Sequence, residues 1–286
     1  MQTKKILIIG AGGSVGMSLA DFLNSRGHFI NASGYSTEGK EAYSLDITDR
    51  EKVFSEIERL KPEVIIHAAA KSSLLYCEKN PELARAINVG GTKNIVDAIN
   101  RTNPEIKLIF LSSDYVFDGE KGDYKEGDKT EPRTVYGNTK LEAEKIIKNG
   151  LENYIICRSA NIYGRGGNFF NFIVSKIREN TPLDVFSDTF YTPTFIDYFT
   201  DCIGKLIEID YRGVIHIAGQ ERISRYDFAV KVAEAMKKDS SIVIPVKQPE
   251  SGLISKDISL NTELSRKLTG ICCPTIAESL KIILKN

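Results

Sequence analysis

Short apolar runs alternate with amphipathic stretches along the first half of the chain, and that rhythm predicts its architecture. Lys4-Lys-Ile-Leu-Ile-Ile9 is a β-type run. A glycine-rich turn follows, Gly10-Ala-Gly-Gly-Ser-Val-Gly16, and then an amphipathic helical stretch from Val15 to Arg26 that Gly27 ends. His28 to Ser33 predicts a second strand, and Tyr43 to Ile47 a short third. Thr48-Asp-Arg-Glu51 has the form of a capping box opening a helix to Leu60. Pro62 to Ala69 is continuously apolar, as a strand covered on both faces of a parallel sheet must be. A helix from about Pro81 to Asn100 leads to the fifth strand, Lys107-Leu-Ile-Phe-Leu111. A helical pattern starting at Tyr136 leads to the sixth, Tyr154 to Arg158. Strands alternating with helices predict an α/β fold built on a doubly wound parallel Rossmann sheet.

After Arg158 the rhythm breaks. Asn161 to Gly167 reads as a loop, Phe169 to Asn180 as a helix and Pro182 to Asp184 as the start of a short extended piece. Pro193 to Asp197 and Gly213 to Gly219 read as strands with a helix between them. Ser224-Arg-Tyr-Asp227 is a second capping-box pattern, opening a helix to about Lys237, and Ile276 to Leu284 closes the chain. The expected division is a dinucleotide-binding Rossmann domain, 1–158 with 190–218, and a smaller C-terminal substrate-binding lobe, 159–189 with 219–286. Such a lobe would close a cleft over the carboxyl edge of the sheet, where open α/β sheets take ligands.

Composition narrows the function. In 286 residues, 38 basic and 38 acidic side chains cancel without a basic stripe, which argues against a nucleic-acid partner. No apolar run approaches the roughly 18 residues a membrane span needs, so no membrane association is expected. The chain passes straight from Met-Gln-Thr-Lys-Lys into a strand, so no signal peptide is expected. Cys77, Cys157, Cys202, Cys272 and Cys273 show no Cys-x-x-Cys spacing, and His28, His67 and His216 are scattered. A metal site is therefore not expected, and a reducing cytoplasm is the expected setting. His67, at a strand end, is expected to pack rather than to ligate.

Two stretches carry candidate chemistry. In the first, strand, glycine turn and helix follow one another, the context a dinucleotide fingerprint requires. Gly10 would permit the tight turn, Gly13 the approach of backbone to a diphosphate, and Gly16 the packing of helix on strand. An NAD-binding turn would place an acid near the end of the second strand. Here Asn31 to Thr37 has none before Glu38, and Ser36, Thr37 and Lys40 leave room for a 2′-phosphate. NADP is thus the expected cofactor, with NAD left open. In the second stretch, the fifth strand delivers Ser112, Ser113 and Asp114 to its carboxyl end, and Tyr136 and Lys140 lie one helical turn apart. A surface i,i+4 pair would look the same; the glycine turn makes the chemical reading the better one. An ammonium beside a phenol lowers its pKa, and a serine hydroxyl can hold a substrate oxygen beside it. Such a trio can donate a proton to a carbonyl that receives a hydride.

With both motifs together, the chain resembles the extended short-chain dehydrogenase/reductases, and within them the dTDP-4-dehydrorhamnose reductase family. The resemblance rests on Gly10-x-x-Gly13-x-x-Gly16, Lys61 to Ala70, Asn88-Val-Gly-Gly-Thr92, Ser112-Ser-Asp-Tyr-Val-Phe-Asp-Gly119 and Val135 to Glu144. Ile162-Tyr-Gly164 and Pro193-Thr194 extend it over almost the whole chain. It implies an NAD(P)H-dependent reductase of a nucleotide-linked 4-keto sugar, with Ser113, Tyr136 and Lys140 catalytic. It implies cofactor contacts from Ser14, Val15, Gly16, Tyr35, Ser36, Thr37, Asp46, Ile47, Ala68, Ala69 and Ala70, joined by Tyr136 and Lys140. Asp114 and Asn161 would face the substrate, and a homodimer is left open. One departure stands out: rhamnose-forming members carry a tryptophan where this chain has Asn161, and this chain has none anywhere. The same family contains the regulatory β subunit of methionine adenosyltransferase, so a dinucleotide-binding regulatory subunit is the alternative. A dehydratase or epimerase on the same fold ranks third, because Tyr115, not glutamate, follows Asp114.

Overall fold

A computed structural model describes residues 3–33, 44–166, 168–249 and 252–285. The apolar runs form the strands of one parallel sheet: β1 (Lys5–Ile9), β2 (Phe29–Ser33), β3 (Val64–His67), β4 (Lys107–Ser113) and β5 (Tyr154–Ser159). Among the described residues the sheet gains a sixth strand, Gly213–His216, beside β5. β1 lies between β2 and β3, and β4, β5 and the sixth strand follow outward from β3. The chain therefore winds outward in one direction from β1 and in the other from β3. The carboxyl ends of β1 and β3 flank the switch point, where a crevice opens.

Period-two alternation divides the buried side chains between two cores. Ile6 and Ile8 enter one with Leu19, Leu23 and Ile203; Leu7 and Ile9 enter the other with Val53, Ile57 and Ile95. Helix α1 (Ser14–Ser25) covers the first face, and α2 (Arg50–Leu60) belongs to the second.

Three expectations in this half need correction. Residues 44–47 form no strand, and Tyr43 lies outside the described residues. Leu45 and Ile47 are buried, but as loop side chains against the second core, while Asp46 accepts hydrogen bonds from the Thr48 N–H and hydroxyl. That occupation of Thr48 moves the cap of α2 to Asp49, whose carboxylate accepts the Lys52 N–H. The single helix expected from Pro81 is instead α4 (Pro81–Arg85), a π-helical turn at Ala86–Gly90 and α5 (Gly91–Thr102). It follows an unexpected α3 (Leu74–Lys79), which Ser73 caps. Asn88, in the π turn, is pinned from both sides: it exchanges hydrogen bonds with the Lys71 backbone and donates to Thr139 Oγ1. Thr139 belongs to α6 (Val135–Gly150), whose cap, Thr134, accepts the Gly137 N–H.

Beyond β5 the elements are short. β6 (Ile162–Tyr163) pairs with β9 (Thr194–Phe195), and β7 (Leu183–Phe186) pairs in parallel with the later segment Val243–Val246. β8 (Phe190–Tyr191) pairs antiparallel with Ile223–Ser224. The strand expected from Pro193 to Asp197 stops early, because α8 (Ile196–Glu208) begins inside it and packs against α1. Gly213–His216 is then β10, Ile223–Ser224 is β11 and Val243–Val246 is β12. α7 (Asn168–Arg178) precedes these strands, and α9 (Arg225–Ala235) follows β11. Ser224 Oγ accepts the Asp227 N–H and donates to Asp227 Oδ2, which is half of a capping box. The reciprocal box lies instead at Thr275 and Glu278, opening the last helix at Ile276. Among the described residues no helix is long and apolar enough to cross a membrane.

Candidate active site

The glycine turn is shaped by close contacts. Gly10 adopts a φ of +96°, and a Cβ there would lie 2.4 Å from the Ala69 nitrogen. A Cβ on Gly16 would lie 2.4 Å from the Gly10 carbonyl oxygen, so α1 can rest on the turn only with glycine there. Gly13 differs: its nearest obstacle would be 3.6 Å away, so its surface is left to a ligand. Gly13 also stands as the N-cap of α1 without a side-chain hydrogen bond, leaving the N–H groups of the first turn to be met from outside.

A cavity of about 600 Å³ runs from this turn past the end of β3. Its walls include Gly10, Gly13, Asp46, Ile47, Ala68, Ala69 and Ala70, together with Lys71 and Tyr76. A second cavity of about 430 Å³ shares Ala68 and Ala70 with the first and takes in Ser14, Val15, Ser113, Asp114, Tyr136, Lys140 and Asn161. The two cavities adjoin at the strand ends, and their walls together hold most of the expected residues. Gly16 is buried. Tyr35, Ser36 and Thr37 lie outside the described residues.

Within the second cavity, Ser113 Oγ donates to Asp114 Oδ1 at 2.8 Å and accepts the Tyr115 N–H at 3.2 Å. Burial pushes the Asp114 carboxyl up to about 7, against the hydrogen bond from Ser113 and the positive charge of Arg225. Lys140 is 2% exposed, with Nζ 3.9 Å from the centroid of the Phe110 ring. Burial pulls its ammonium down to about 7, and Glu144 works against that. The Tyr136 phenol is raised above its ordinary range by burial; a hydrogen bond with Ser113 opposes the rise, and Asp114 adds to it. The lowering expected from Lys140 is not among the causes of this shift.

His67, the last residue of β3, is buried within reach of the Lys140 charge. Thr92 Oγ1 donates to the Asn88 carbonyl at 2.7 Å and lies 3.0 Å from His67 Nε2. With the threonine proton committed, the hydrogen between them belongs to Nε2. Burial, and then Lys140, lower this imidazole to about 3, and its ring packs 5.3 Å from Phe110. Among the described residues no group of His, Cys, Asp and Glu side chains is arranged to hold a metal ion.

Elements beyond β5 contribute residues that the sequence did not point to. Arg225, the first residue of α9, is 9% exposed; its guanidinium lies 5.2 Å from the Phe169 ring and 4.9 Å from the Tyr191 ring. It lines the second cavity along with Tyr115, Phe169 and Ile254, and its charge acts on both Asp114 and Tyr115. One signal was available. A cation in the first turn of a helix opposes the macrodipole, so an arginine directly after the cap at Ser224 calls for a compensating partner.

A six-stranded parallel sheet with a glycine turn at its switch point and a cleft along its carboxyl edge defines a Rossmann-type α/β protein of the reductase and epimerase kind. Within that class the chain belongs to the family of the RmlD substrate binding domain, which matches residues 4–286. The dTDP-4-dehydrorhamnose reductase of Aggregatibacter actinomycetemcomitans is 36% identical over 239 residues, covering 80% of this chain and 78% of that protein. The methionine adenosyltransferase 2 subunit beta of Xenopus laevis is 28% identical over 264 residues, covering 86% of this chain and 76% of that protein. Among solved structures, dTDP-4-dehydrorhamnose reductase from Bacillus anthracis str. Ames in complex with NADP superposes with a TM-score of 0.90 at 27% identity, over 99% of both chains.

Proposed function

We propose that this protein is an NADPH-dependent reductase of a nucleotide-linked 4-keto sugar, with dTDP-4-dehydrorhamnose the favoured substrate. The observation that carries the reading is that two cavities adjoin: the one holding Ser113, Tyr136 and Lys140 shares Ala68 and Ala70 with the one that starts at the glycine turn. The residues present fit a dinucleotide. Gly13 leaves open surface beside the uncapped start of α1 for a diphosphate, and Asp46 and Ile47 flank the far end. Ala68, Ala69 and Ala70 are small enough to let a flat ring system lie across them. Ser36, Thr37 and Lys40 are assigned to the 2′-phosphate from the sequence, and Tyr35 to the cofactor from the resemblance. The bound cofactor supplies the hydride.

The chain's own groups manage the carbonyl oxygen. Ser113 Oγ and the Tyr136 hydroxyl both face the second cavity and can bond one oxygen between them. Burial keeps the Tyr136 phenol protonated, which suits a donor that must release its proton only as negative charge develops on that oxygen. Ser113 stabilises the same charge, and Lys140 places a cation behind the phenol. Asp114 and Asn161 are assigned to the sugar, and the lobe, 159–189 with 219–286, to the rest of the nucleotide.

The test is direct: purified protein, NADPH and a panel of 4-keto sugar nucleotides, with loss of the reduced nicotinamide absorbance as the readout. Turnover with at least one keto sugar supports the reading. No oxidation of NADPH with any of them, together with altered kinetics of a co-purifying enzyme, would replace it with the regulatory one.

A further inference from the structure

Behind the reacting groups lies a buried ion pair that the proton-transfer scheme does not use. Glu144 is fully buried, and Arg158 is 1% exposed. Arg158 donates from Nε to Glu144 Oε1 at 2.9 Å and from Nη2 to Oε2 at 2.7 Å. Ser112 Oγ donates to the same Oε1 at 2.6 Å, and Lys148 Nζ lies 3.5 Å from Oε2. The carboxylate is therefore held from β4, β5 and α6 at once. Ser112 immediately precedes Ser113, and Glu144 lies one helical turn beyond Lys140, which in turn lies one turn beyond Tyr136.

Resting on the reductase reading for its catalytic meaning, we propose that Glu144 is a positioning residue that acts through Lys140. Its clamped carboxylate supplies the counter-charge for the lysine and fixes α6 against the end of β4.

Charge arithmetic separates this from a mere scaffold pair. Lys140 and Arg158 are both cations with almost no solvent contact, and burial alone drives the lysine toward neutrality. Glu144 is the neighbour that opposes this, and it stays ionised because Arg158 and Ser112 hold its carboxyl below the ordinary range. The other titratable groups on elements packed around this part of α6 are Tyr136, Glu142 and Lys148 on the helix itself, His67 on β3, Asp114 and Tyr115 after β4, Cys77 and Glu78 on α3 and Arg85 on α4; Glu78 accepts the Val135 N–H at the start of the helix, Glu142 pairs with Arg85, and Glu144 is the charge that acts on Lys140. His67 is neutral, and Asp114 titrates near the lysine itself, so neither offers a permanent negative charge. A pair needed only for packing would tolerate apolar replacement, often without loss of stability. A counter-charge would not.

The experiment is a heteronuclear NMR titration of the Lys140 side chain in the full chain without cofactor, comparing wild type with Glu144→Gln and Glu144→Asp. Removing the charge should lower the Lys140 midpoint by about one pH unit, the low end of what a nearby opposite charge contributes, and aspartate should restore it. With NADPH and substrate, the alkaline limb of kcat/KM should move to lower pH by the same interval, with kcat falling more than KM rises. An unmoved Lys140 midpoint in folded Glu144→Gln overturns the proposal, whatever the substrate proves to be. A lowered midpoint without keto-sugar turnover upholds the coupling and removes the reductase reading instead. Because Glu144→Gln strands Arg158, the double variant Glu144→Gln/Arg158→Gln repeats the titration without the stranded guanidinium, against Arg158→Gln as its reference. A Lys140 midpoint no lower in the double variant than in Arg158→Gln alone counts equally against the proposal.

Discussion

Asp114→Asn should make the protein more stable in mildly alkaline solution and change it little in acid. The carboxyl group is 3% exposed and its pKa is raised from 3.8 to about 7, chiefly by burial. Between those values the native state keeps a proton that the unfolded chain has released. Stability from this group is therefore fully present below 3.8 and is lost as pH rises to about 7, beyond which the penalty is constant. An interval from 3.8 to about 7 is about three units, worth about 4 kcal/mol at ~1.4 kcal/mol each. The open cleft lets water relax part of this, and asparagine surrenders the attraction of Arg225 for the carboxylate, so a gain of about 2 kcal/mol is expected at about pH 8. Asparagine keeps an oxygen for Ser113 Oγ to donate to, so the local geometry should persist. Urea denaturation of both proteins at about pH 4 and about pH 8, with equal m values, measures the difference directly. A stability difference identical at the two pH values would refute the reasoning. If Asp114 also holds the sugar, turnover should fall while stability rises, the trade expected of a group kept for function.

Tyr136→Phe should lower turnover about a thousandfold, within the range of a lost general acid, while NADPH affinity measured by fluorescence titration changes only a few-fold. Gly16→Ala should destabilise the fold by about 2 kcal/mol, because its Cβ would press on backbone that cannot yield, as a thermal melt would show. Gly13→Ala should melt like wild type yet bind NADPH more weakly, since the added methyl fills space assigned to the diphosphate. NADPH should bind several-fold more tightly than NADH at one salt concentration, because no acid lies between Asn31 and Thr37; Ser36→Asp should move the preference toward NADH.

The doubly wound sheet was legible because strands covered on both faces cannot hide their character. Ile6 to Ile9, Val64 to Ile66, Leu108 to Phe110 and Ile155 to Cys157 are unbroken apolar runs with 0–1% exposure throughout. The same signal misled at Tyr43 to Ile47. Leu45 and Ile47 alternate with polar neighbours and are buried, but periodicity reports which side chains avoid water, and says nothing of whether the backbone finds a strand to pair with. The π turn at Ala86–Gly90 escaped for a related reason. Its cause is Asn88 reaching Lys71 and Thr139, contacts between segments that no local pattern records.

The near wall of the site was legible through topology, since residues following β1, β3 and β4 must meet at one edge once the strand order is known. Ser113, Asp114, Tyr136 and Lys140 could be placed there from motif spacing alone. Their chemistry could not, because it depends on what covers them. An exposed tyrosine and lysine four residues apart would keep ordinary pKa values and react with nothing. Here Phe110 lies beneath the ammonium, and Arg225 from α9 and Phe169 from α7 line the cavity beside Asp114. Burial moves an acid and a base in opposite directions, and in this cavity it brings Asp114 and Lys140 to about the same value, about 7. Burial supplied by elements far apart in the chain is therefore what separates this site from a chance i,i+4 pair on a surface helix.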